Sequence, residues 1–224
     1  MENHVPQPSI FSPIVLPCGR ILQNRLVKVS HFVEQRFTSS SIQRIQAAMY
    51  EHLAAFSGGP PNKYHFSLYS KWAKSDWGMI VTGNVQVSPT HLSLGRDMTL
   101  PSHISEHTLR PFEQLASTIR RSVKSNNSSA SLAILQLSHS GRQSANFIGG
   151  RYPFQPPSGP SSISVKPKGQ GLLSNLLHAI AFQPPQALSG GEIEDVIGTF
   201  VKGARVALGS GFDGIQLHAA HGCE

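Results

Sequence analysis

Short apolar segments of strand length alternate along this chain with longer segments of helical periodicity. The segments 77–85 and 132–137 are dense apolar runs, a pattern typical of strands that are buried on both faces. Alternation of this kind predicts parallel strands joined by right-handed crossovers, with helices packed on the sheet. The predicted strands are 24–28, 77–85, 132–137 and 215–217. The helices between them are 62–74, about 109–124, and one from 189 that ends near 209 or 211.

The number of predicted strands distinguishes between the parallel α/β folds. A TIM barrel has eight strands and takes about 250 residues, whereas this chain has 224 residues and four predicted strands. A complete flavodoxin-like or Rossmann sheet is the alternative, but no glycine-rich phosphate loop follows the first strand. The pattern therefore favours an α/β chain that forms half of a barrel.

Local signals predict where the helices begin. Asn62 is expected to cap the first helix, and Pro111 is expected in the first turn of the second, where proline is tolerated. Ser189 and Glu192 form a capping-box pattern at the start of the last helix. That helix has one apolar face, made of Ile193, Val196, Ile197, Phe200, Val201 and Ala204.

Two further stretches lack this alternation. Residues 14–22 are predicted to form a short hairpin around Pro17-Cys18-Gly19. Residues 149–188 are rich in Pro, Gly and Ser and are predicted to form an extended loop or cap with one short helix near 172–180. Loops of that length are usually functional.

Two histidines, His218 and His221, follow the last predicted strand. Polar groups just past the carboxyl end of a strand are where α/β proteins bind ligands. Because the strand turns over there, a spacing of three lets both imidazoles face one small ligand, with N–H donors for an anionic or carbonyl oxygen. Two alternatives stay open: satisfied surface or core histidines, and a zinc site that would draw on Cys223 and Glu224.

The basic composition raises nucleic acid as a partner, since the formal net charge is +7 and the isoelectric point about 9.7. The Lys and Arg residues are scattered, however, and Arg120-Arg121 is the only adjacent pair. No nucleic-acid-binding motif accompanies them. We therefore expect a solvated basic surface and no nucleic-acid partner.

The compartment is predicted from cysteine use and from hydropathy. Cys18 and Cys223 make no disulfide framework and fit a reducing compartment. No run approaches the roughly 18 apolar residues of a membrane span, and residues 1–6 lack the pattern of a secretory signal. The expectation is a soluble, cytoplasmic protein with no membrane partner.

Four passages with specific residue patterns follow one another in order. They are 16–20 with 24–28, then WGMIVTGN at 77–84, QLSHSGRQS at 136–144 and GFDGIQLHAAHG at 211–222. Together they resemble the old yellow enzyme family, which includes NADH:flavin oxidoreductases and 2-enoate reductases. The resemblance implies a TIM barrel of the FMN-dependent type, with FMN at the C-terminal ends of the strands. Residues 1–224 would be the N-terminal half of that barrel.

The resemblance also implies which residues contact the flavin. Gly83 and Asn84 would contact the ring from strand two, and Gln136 would hydrogen-bond its pyrimidine edge. His218 would lie near the flavin as well. The end of strand one would lie against the flavin through Ala47, Ala48, Met49 and Tyr50.

The reaction follows from the same resemblance. In this family NADH or NADPH reduces FMN, and the reduced flavin passes hydride to the β-carbon of an activated alkene such as an enone. His218 and His221 would be the catalytic residues that hold the carbonyl oxygen of this small-molecule substrate. This agrees with the oxygen-polarising role expected from the residues alone, because charge develops on that oxygen during hydride addition.

Three features depart from the family pattern, and the first two are local. Residues 29–46 interrupt strand one, and joining Lys28 to Ala47 yields NRLVKAAMYE, close to the usual family sequence. We interpret 29–46 as a non-native insert translated from a retained intron. A genuine surface insertion is the alternative, but it would be badly placed inside a buried barrel strand. Cys223 stands where the family commonly has a tyrosine that delivers a proton. A thiol could donate a proton as well, with a shorter reach, but we interpret Cys223-Glu224 as a frame or splice break.

The absence of strands five to eight is the third departure, because the family carries its FMN phosphate site there. Strands one and four would each leave an open edge and exposed apolar surface, which favours homo-oligomers or aggregation. The alternative function is therefore a truncated, non-catalytic fragment or pseudoenzyme with weak or no FMN binding.

Overall fold

The computed structural model describes residues 9–29, 51–120, 130–165 and 171–220. The strands are β1 (Ile14–Val15), β2 (Ile21–Leu22), β3 (Val27–Val29), β4 (Met79–Gln86), β5 (Met98–Thr99), β6 (Leu132–Ser138), β7 (Ser158–Gly159), β8 (Gln186–Ala187) and β9 (Gly214–Leu217). The helices are α1 (Lys63–Trp72), α2 (Glu106–Arg120), α3 (Leu172–Ala181) and α4 (Gly190–Gly209), with a 3₁₀ turn at Gly141–Gln143.

The main sheet is parallel and its long path runs in sequence order, β3-β4-β6-β9. β6 pairs with β4 along one edge, while β3 pairs with its first residues and β5 with its last two, on the other edge. Each step along the path crosses through a helix: α1 before β4, α2 before β6 and α4 before β9. The predicted parallel α/β order is therefore confirmed for the described residues.

One face of this sheet packs against α1, α2 and α4. Side chains from both layers form the hydrophobic core, since apolar surface removed from water is the main source of stability. Tyr69, Phe112 and Leu115 enter it from the helices. The strands contribute Ile80, Val85, Ala133, Leu135 and Leu137 to the same core.

The predicted hairpin and two of the predicted helix caps are confirmed. β1 and β2 pair antiparallel. Asn62 caps α1 by accepting the Tyr64 N–H at 2.9 Å, and Ser189 with Glu192 forms the capping box of α4. The short helix predicted near 172–180 is α3, although the parallel pair β7–β8 in the same segment was not predicted.

The predicted start of α2 was wrong. The helix begins at Glu106, so Pro111 lies in the second turn and not in the first. Ser105 sets this start: its N–H donates to Thr108 Oγ1 at 2.9 Å, and its hydroxyl accepts the Thr108 N–H at 3.3 Å. This is a capping box with Thr in place of the usual Glu, which hid the signal. The predicted end near 124 lies outside the described residues.

The apolar face predicted for α4 is divided between core and solvent. Phe200 packs against the core, and the buried residues of the helix are Gly203, Val206 and Ala207. Ile193, Ile197 and Val201 remain 42–49% exposed. Next to them, Leu217 on β9 is 60% exposed on the helix side of the sheet. None of the helices in the described part of the chain has the length and hydropathy of a membrane span.

Candidate active site

β4 contains one extra residue, and this changes which way its side chains point. Val81 pairs with Ile134 and Asn84 pairs with Gln136, so three steps along β4 match two along β6. Ile80 before this bulge and Val85 after it both face the helices, whereas plain alternation would put Ile80 and Asn84 on the same face. The bulge therefore turns Asn84 to the inner face of the sheet, away from the helices.

Asn84, Gln136 and Gln216 form a row across three neighbouring strands. Gln136 on β6 is the register partner of both Asn84 on β4 and Gln216 on β9. Gln136 Nε2 also donates a hydrogen bond to Gln216 Oε1. Two residues closer to the carboxyl ends, Gln86 pairs with Ser138. These residues form a polar layer on the inner face, buried except at the exposed Gln216, and we call this layer the amide row.

Much of the amide row has no hydrogen-bond partner among the described residues. Asn84 is 1% exposed, yet neither its Nδ2 nor its Oδ1 has such a partner. The same holds for both amide atoms of Gln86, for Gln136 Oε1 and for Ser138 Oγ. A buried polar group left unpaired costs about 1–3 kcal/mol, so these atoms suit a polar ligand that offers both donors and acceptors.

His218 lies at the carboxyl end of the adjacent strand. Its main-chain N–H donates to Leu137 O at 2.9 Å, which continues the β6–β9 ladder beyond Leu217. Alternation along the strand places His218 on the same face as Gln216, two residues earlier. The residue is 6% exposed. The structure thus brings Gly83, Asn84, Gln136 and His218 to the carboxyl ends of three neighbouring strands.

The other predicted site residues lie outside the described residues. These are His221 at the end of the chain and Ala47, Ala48, Met49 and Tyr50 at the end of strand one. Most of the predicted insert, 29–46, is outside as well, since only Val29 is described, as the last residue of β3. Their assignments stay predictions.

Glu51 and Tyr69 are site residues that sequence reasoning missed. The Gly83 N–H donates to Glu51 Oε1 at 2.8 Å and to the Tyr69 hydroxyl at 2.8 Å, and that hydroxyl donates to Glu51 Oε1. Tyr69 is completely buried. A glycine inside a strand often marks a bulge or a close approach, and Gly83 was the signal that could have revealed this cluster.

Two stacked imidazoles form a second cluster after β4 and β6. The rings of His91 and His139 are 4.5 Å apart, and His91 Nε2 accepts the Ser158 N–H of β7 at 3.0 Å. Burial lowers the pKa of His91 to about 3, with smaller contributions from His139 and the Arg151 guanidinium. His91 therefore stays neutral and holds Ser158 of β7 beside the ends of β4 and β6.

A cleft lies among the loops that follow the carboxyl ends of β4 and β6. Its volume is about 620 Å³, which is within the range of small-molecule sites. Thr90 and Arg151 line it together with the aromatic side chains of Phe147 and Tyr152. A smaller cavity of about 190 Å³ lies between the imidazole pair and the first turns of α4.

Metal binding has no further support in the described part of the chain. Residues 9–29, 51–120, 130–165 and 171–220 contain no group of three His, Cys, Asp or Glu side chains placed to hold a metal ion. The additional ligands that the zinc alternative needs, His221, Cys223 and Glu224, lie outside those ranges.

Residues 9–223 match the family described as NADH:flavin oxidoreductase / NADH oxidase. Two curated relatives are NADH-dependent flavin oxidoreductases named iliE. The protein of Hypocrea jecorina (strain QM6a) is 34% identical over 210 residues, covering 94% of this chain and 46% of the relative. That of Neonectria sp. (strain DH2) is 32% identical over 210 residues, covering 94% of this chain and 24% of the relative. The chain spans less than half the length of these relatives.

Solved structures match the fold of this chain. An old yellow enzyme homologue from Zymomonas mobilis matches with a TM-score of 0.67 at 20% identity, over 96% of this chain and 50% of that one. Morphinone reductase in complex with tetrahydroNAD matches with a TM-score of 0.66 at 20% identity, over 97% and 51%. The predicted fold class, about four of the eight strands of a TIM barrel, is therefore confirmed.

Proposed function

This chain belongs to the NADH:flavin oxidoreductase / NADH oxidase family, and we propose that it supplies the flavin-contacting half of an FMN-dependent oxidoreductase. NADH or NADPH is the proposed reductant, and activated alkenes of the enone type are the proposed substrates. The resemblance to old yellow enzymes that the sequence motifs indicated is thereby confirmed at the level of the family.

The amide row is the observation that carries this proposal. Asn84 presents an unpaired donor and an unpaired acceptor, and Gln136 presents an unpaired acceptor, all on one buried face. The pyrimidine edge of an oxidised flavin is planar and places one N–H donor between two carbonyl acceptors. Such an edge would satisfy amide groups that otherwise remain desolvated without partners.

Bound FMN supplies the hydride chemistry, accepting hydride from the nicotinamide and donating it to the β-carbon of the alkene. The residues of this chain would bind the flavin ring and orient it. Gln136 and Asn84 would hold the ring through their amides, and Gly83 would contact it through the backbone. Ala47, Ala48, Met49 and Tyr50 would complete this contact from the end of strand one.

His218 and His221 are proposed to bind the carbonyl oxygen of the substrate. A neutral imidazole donates one N–H, so two of them offer two donors to an oxygen on which negative charge develops. The backbone of His218 is fixed by its hydrogen bond to Leu137, which favours a constant ring position. Preorganised donors of this kind lower the barrier to hydride addition.

One observation favours the alternative, in which the chain binds flavin weakly or only within an assembly. The apolar stripe of α4 and the side chain of Leu217 are exposed beside β9, whose outer edge has no partner strand among the described residues. Surface of this kind usually packs against a neighbouring element. Self-association through it would accompany the loss or weakening of flavin binding.

A titration of the purified chain with FMN, followed by flavin fluorescence, separates the two functions. The proposed function predicts saturable quenching at one FMN per chain, with NADH or NADPH oxidation that depends on an added enone such as 2-cyclohexenone. Light scattering on the same sample reports the assembly state. A chain that leaves FMN fluorescence unchanged, whether monomeric or assembled, supports the non-catalytic alternative instead.

A further inference from the structure

Thr82 occupies the bulge of β4 and replaces a main-chain group in the sheet. Its hydroxyl accepts the Gln136 N–H at 3.0 Å and donates to Gly83 O at 2.9 Å. The side chain is completely buried. At this one step of the β4–β6 ladder, a side-chain hydroxyl therefore takes the place that a backbone carbonyl holds elsewhere.

The opposite edge of the same bulge is held by Glu51 and Tyr69. Both accept the Gly83 N–H, each at 2.8 Å. A Cβ atom on Gly83 would lie 2.0 Å from Glu51 Oε2, so the absence of a side chain lets the carboxylate reach the main chain. The bulge is therefore held by a side-chain hydrogen bond on each of its edges, from Thr82 on one and from Glu51 and Tyr69 on the other.

We propose that Thr82, together with Tyr69 and Glu51, positions Asn84 and Gln136 for flavin binding by fixing this bulge. The inference rests on the proposed function, because it gives the amide row a flavin to bind. None of the three needs to touch the ligand. They act through the register of β4, which decides whether Asn84 faces the ligand or the helices.

The physical reason is that a bulge has a competing register. Removing the extra step would shift the end of β4 by one residue and turn Asn84 toward the helices and Val85 away from them. The Thr82 hydroxyl opposes this shift because it can accept from Gln136 and donate to Gly83 at the same time. Valine has the same shape and can do neither, whereas serine can do both.

Thr82→Val and Thr82→Ser are therefore the informative pair, with Thr118→Val as the matched control. Thr118 is a buried threonine on α2 whose hydroxyl donates to Gln114 O at 2.7 Å, away from the bulge. Two readouts are needed: hydrogen exchange of the Gln136 amide in the flavin-free protein, and the affinity and absorption spectrum of bound FMN.

In Thr82→Val we expect faster exchange at Gln136, FMN affinity weakened about tenfold and a shifted flavin spectrum. Thr82→Ser should keep FMN affinity within about twofold of the wild type, as should Thr118→Val. Tyr69→Phe removes the hydroxyl that accepts the Gly83 N–H on the other edge of the bulge. It should also weaken FMN affinity. If Thr82→Val does not fold, Tyr69→Phe with the same two readouts decides the question.

Two failures can be told apart. A wild-type chain that binds no FMN overturns the proposed function, and the positioning role falls with it. A wild-type chain that binds FMN, with Thr82→Val and Tyr69→Phe binding equally well and with the same spectrum, overturns the positioning role alone. Unchanged exchange at Gln136 in Thr82→Val also overturns it, because the hydroxyl would then not hold the bulge.

Discussion

Asp213 and Ala133 exchange two hydrogen bonds at the start of the last strand. The Asp213 N–H donates to Ala133 O at 2.8 Å, and Asp213 Oδ2 accepts the Ala133 N–H at 2.9 Å. The carboxylate also pairs with Arg120, whose Nη2 lies 2.8 Å from Oδ1, and with Arg20 of the β1–β2 hairpin. Asp213 thus joins β9, β6, α2 and the hairpin through one buried side chain.

Asp213→Ala is expected to destabilise the chain by about 2–4 kcal/mol, because it leaves the Ala133 N–H and two guanidinium groups without their acceptor. Urea denaturation measures this change. The control is Glu106→Ala, which breaks the exposed Glu106–Arg110 pair on α2 and should cost no more than about 0.5 kcal/mol beyond helix-end effects. Equal losses in both variants would contradict the central role of Asp213.

Asn84→Leu is expected to stabilise the flavin-free chain by about 1–3 kcal/mol while it weakens FMN binding. The reason is that both amide atoms of Asn84 are buried without a partner among the described residues, and an apolar side chain of similar size removes that cost. Denaturation without flavin and FMN titration measure the two effects. A stabilised variant with undiminished flavin affinity would remove Asn84 from the proposed site.

Asn24→Leu is the matched control for that substitution. Asn24 is also buried, but Nδ2 donates to Asp76 O at 3.0 Å and Oδ1 accepts the Leu26 and Gly78 N–H groups, both at 2.9 Å. Its replacement should destabilise the chain by about 1–3 kcal/mol. Opposite signs at the two asparagines would show that hydrogen bonding, and not polarity as such, decides their energetic role.

Acid is expected to weaken the fold through His91. Its pKa is lowered from 6.5 to about 3, first by burial. Since the unfolded chain binds the proton more readily, this histidine contributes stability that is present above pH 6.5 and is lost as the pH falls toward 3. Between pH 7 and pH 5 the loss is about 2 kcal/mol for one such group.

Denaturation of the wild type and of His91→Gln at pH 7 and pH 5 isolates this contribution from that of other groups. The variant should lose less stability than the wild type between the two values. His103→Gln, which replaces an exposed histidine on the loop before α2, controls for the removal of one imidazole. Identical pH dependence in the wild type and His91→Gln would show that folding does not lower the pKa of His91.

The order of the elements could be predicted from the sequence because it depends on local patterns. Asn62 and Ser189 cap their helices through hydrogen bonds to residues within one turn, and the apolar runs of β4 and β6 reflect burial on both faces. The division of the α4 face could not be predicted. Helical periodicity places the apolar residues Ile193 and Phe200 on one face of the helix. Only the tertiary structure decides which of the two contacts the core.

The candidate site was predictable in part. The family resemblance implied Asn84 and Gln136, and His218 was expected from its place after a predicted strand; in a parallel sheet the three meet at one edge. The roles of Glu51 and Tyr69 depend on a bulge that joins distant segments, and the pairing of His91 with His139 depends on two loops that meet only after folding. Neither leaves a periodic trace in the sequence.

Gly150→Ala is expected to destabilise the loop that borders the large cleft. Gly150 has φ +81°, and a Cβ atom there would lie 2.1 Å from Pro89 O. The positive φ alone costs an alanine about 1–2 kcal/mol, and the clash is with backbone, which cannot rotate away. The total loss in urea denaturation should reach about 2–4 kcal/mol.

Gly198→Ala is the control, because it is the same substitution in an unobstructed place. Gly198 lies inside α4, and a Cβ atom there would meet nothing within 4 Å. Alanine favours the helix over glycine by up to about 1 kcal/mol, so this variant should be slightly more stable than the wild type. A Gly150→Ala chain as stable as the wild type would mean that Gly150 does not lie against Pro89 O as described. The position of this loop matters for the cleft, because Gly150 and Arg151 both line it.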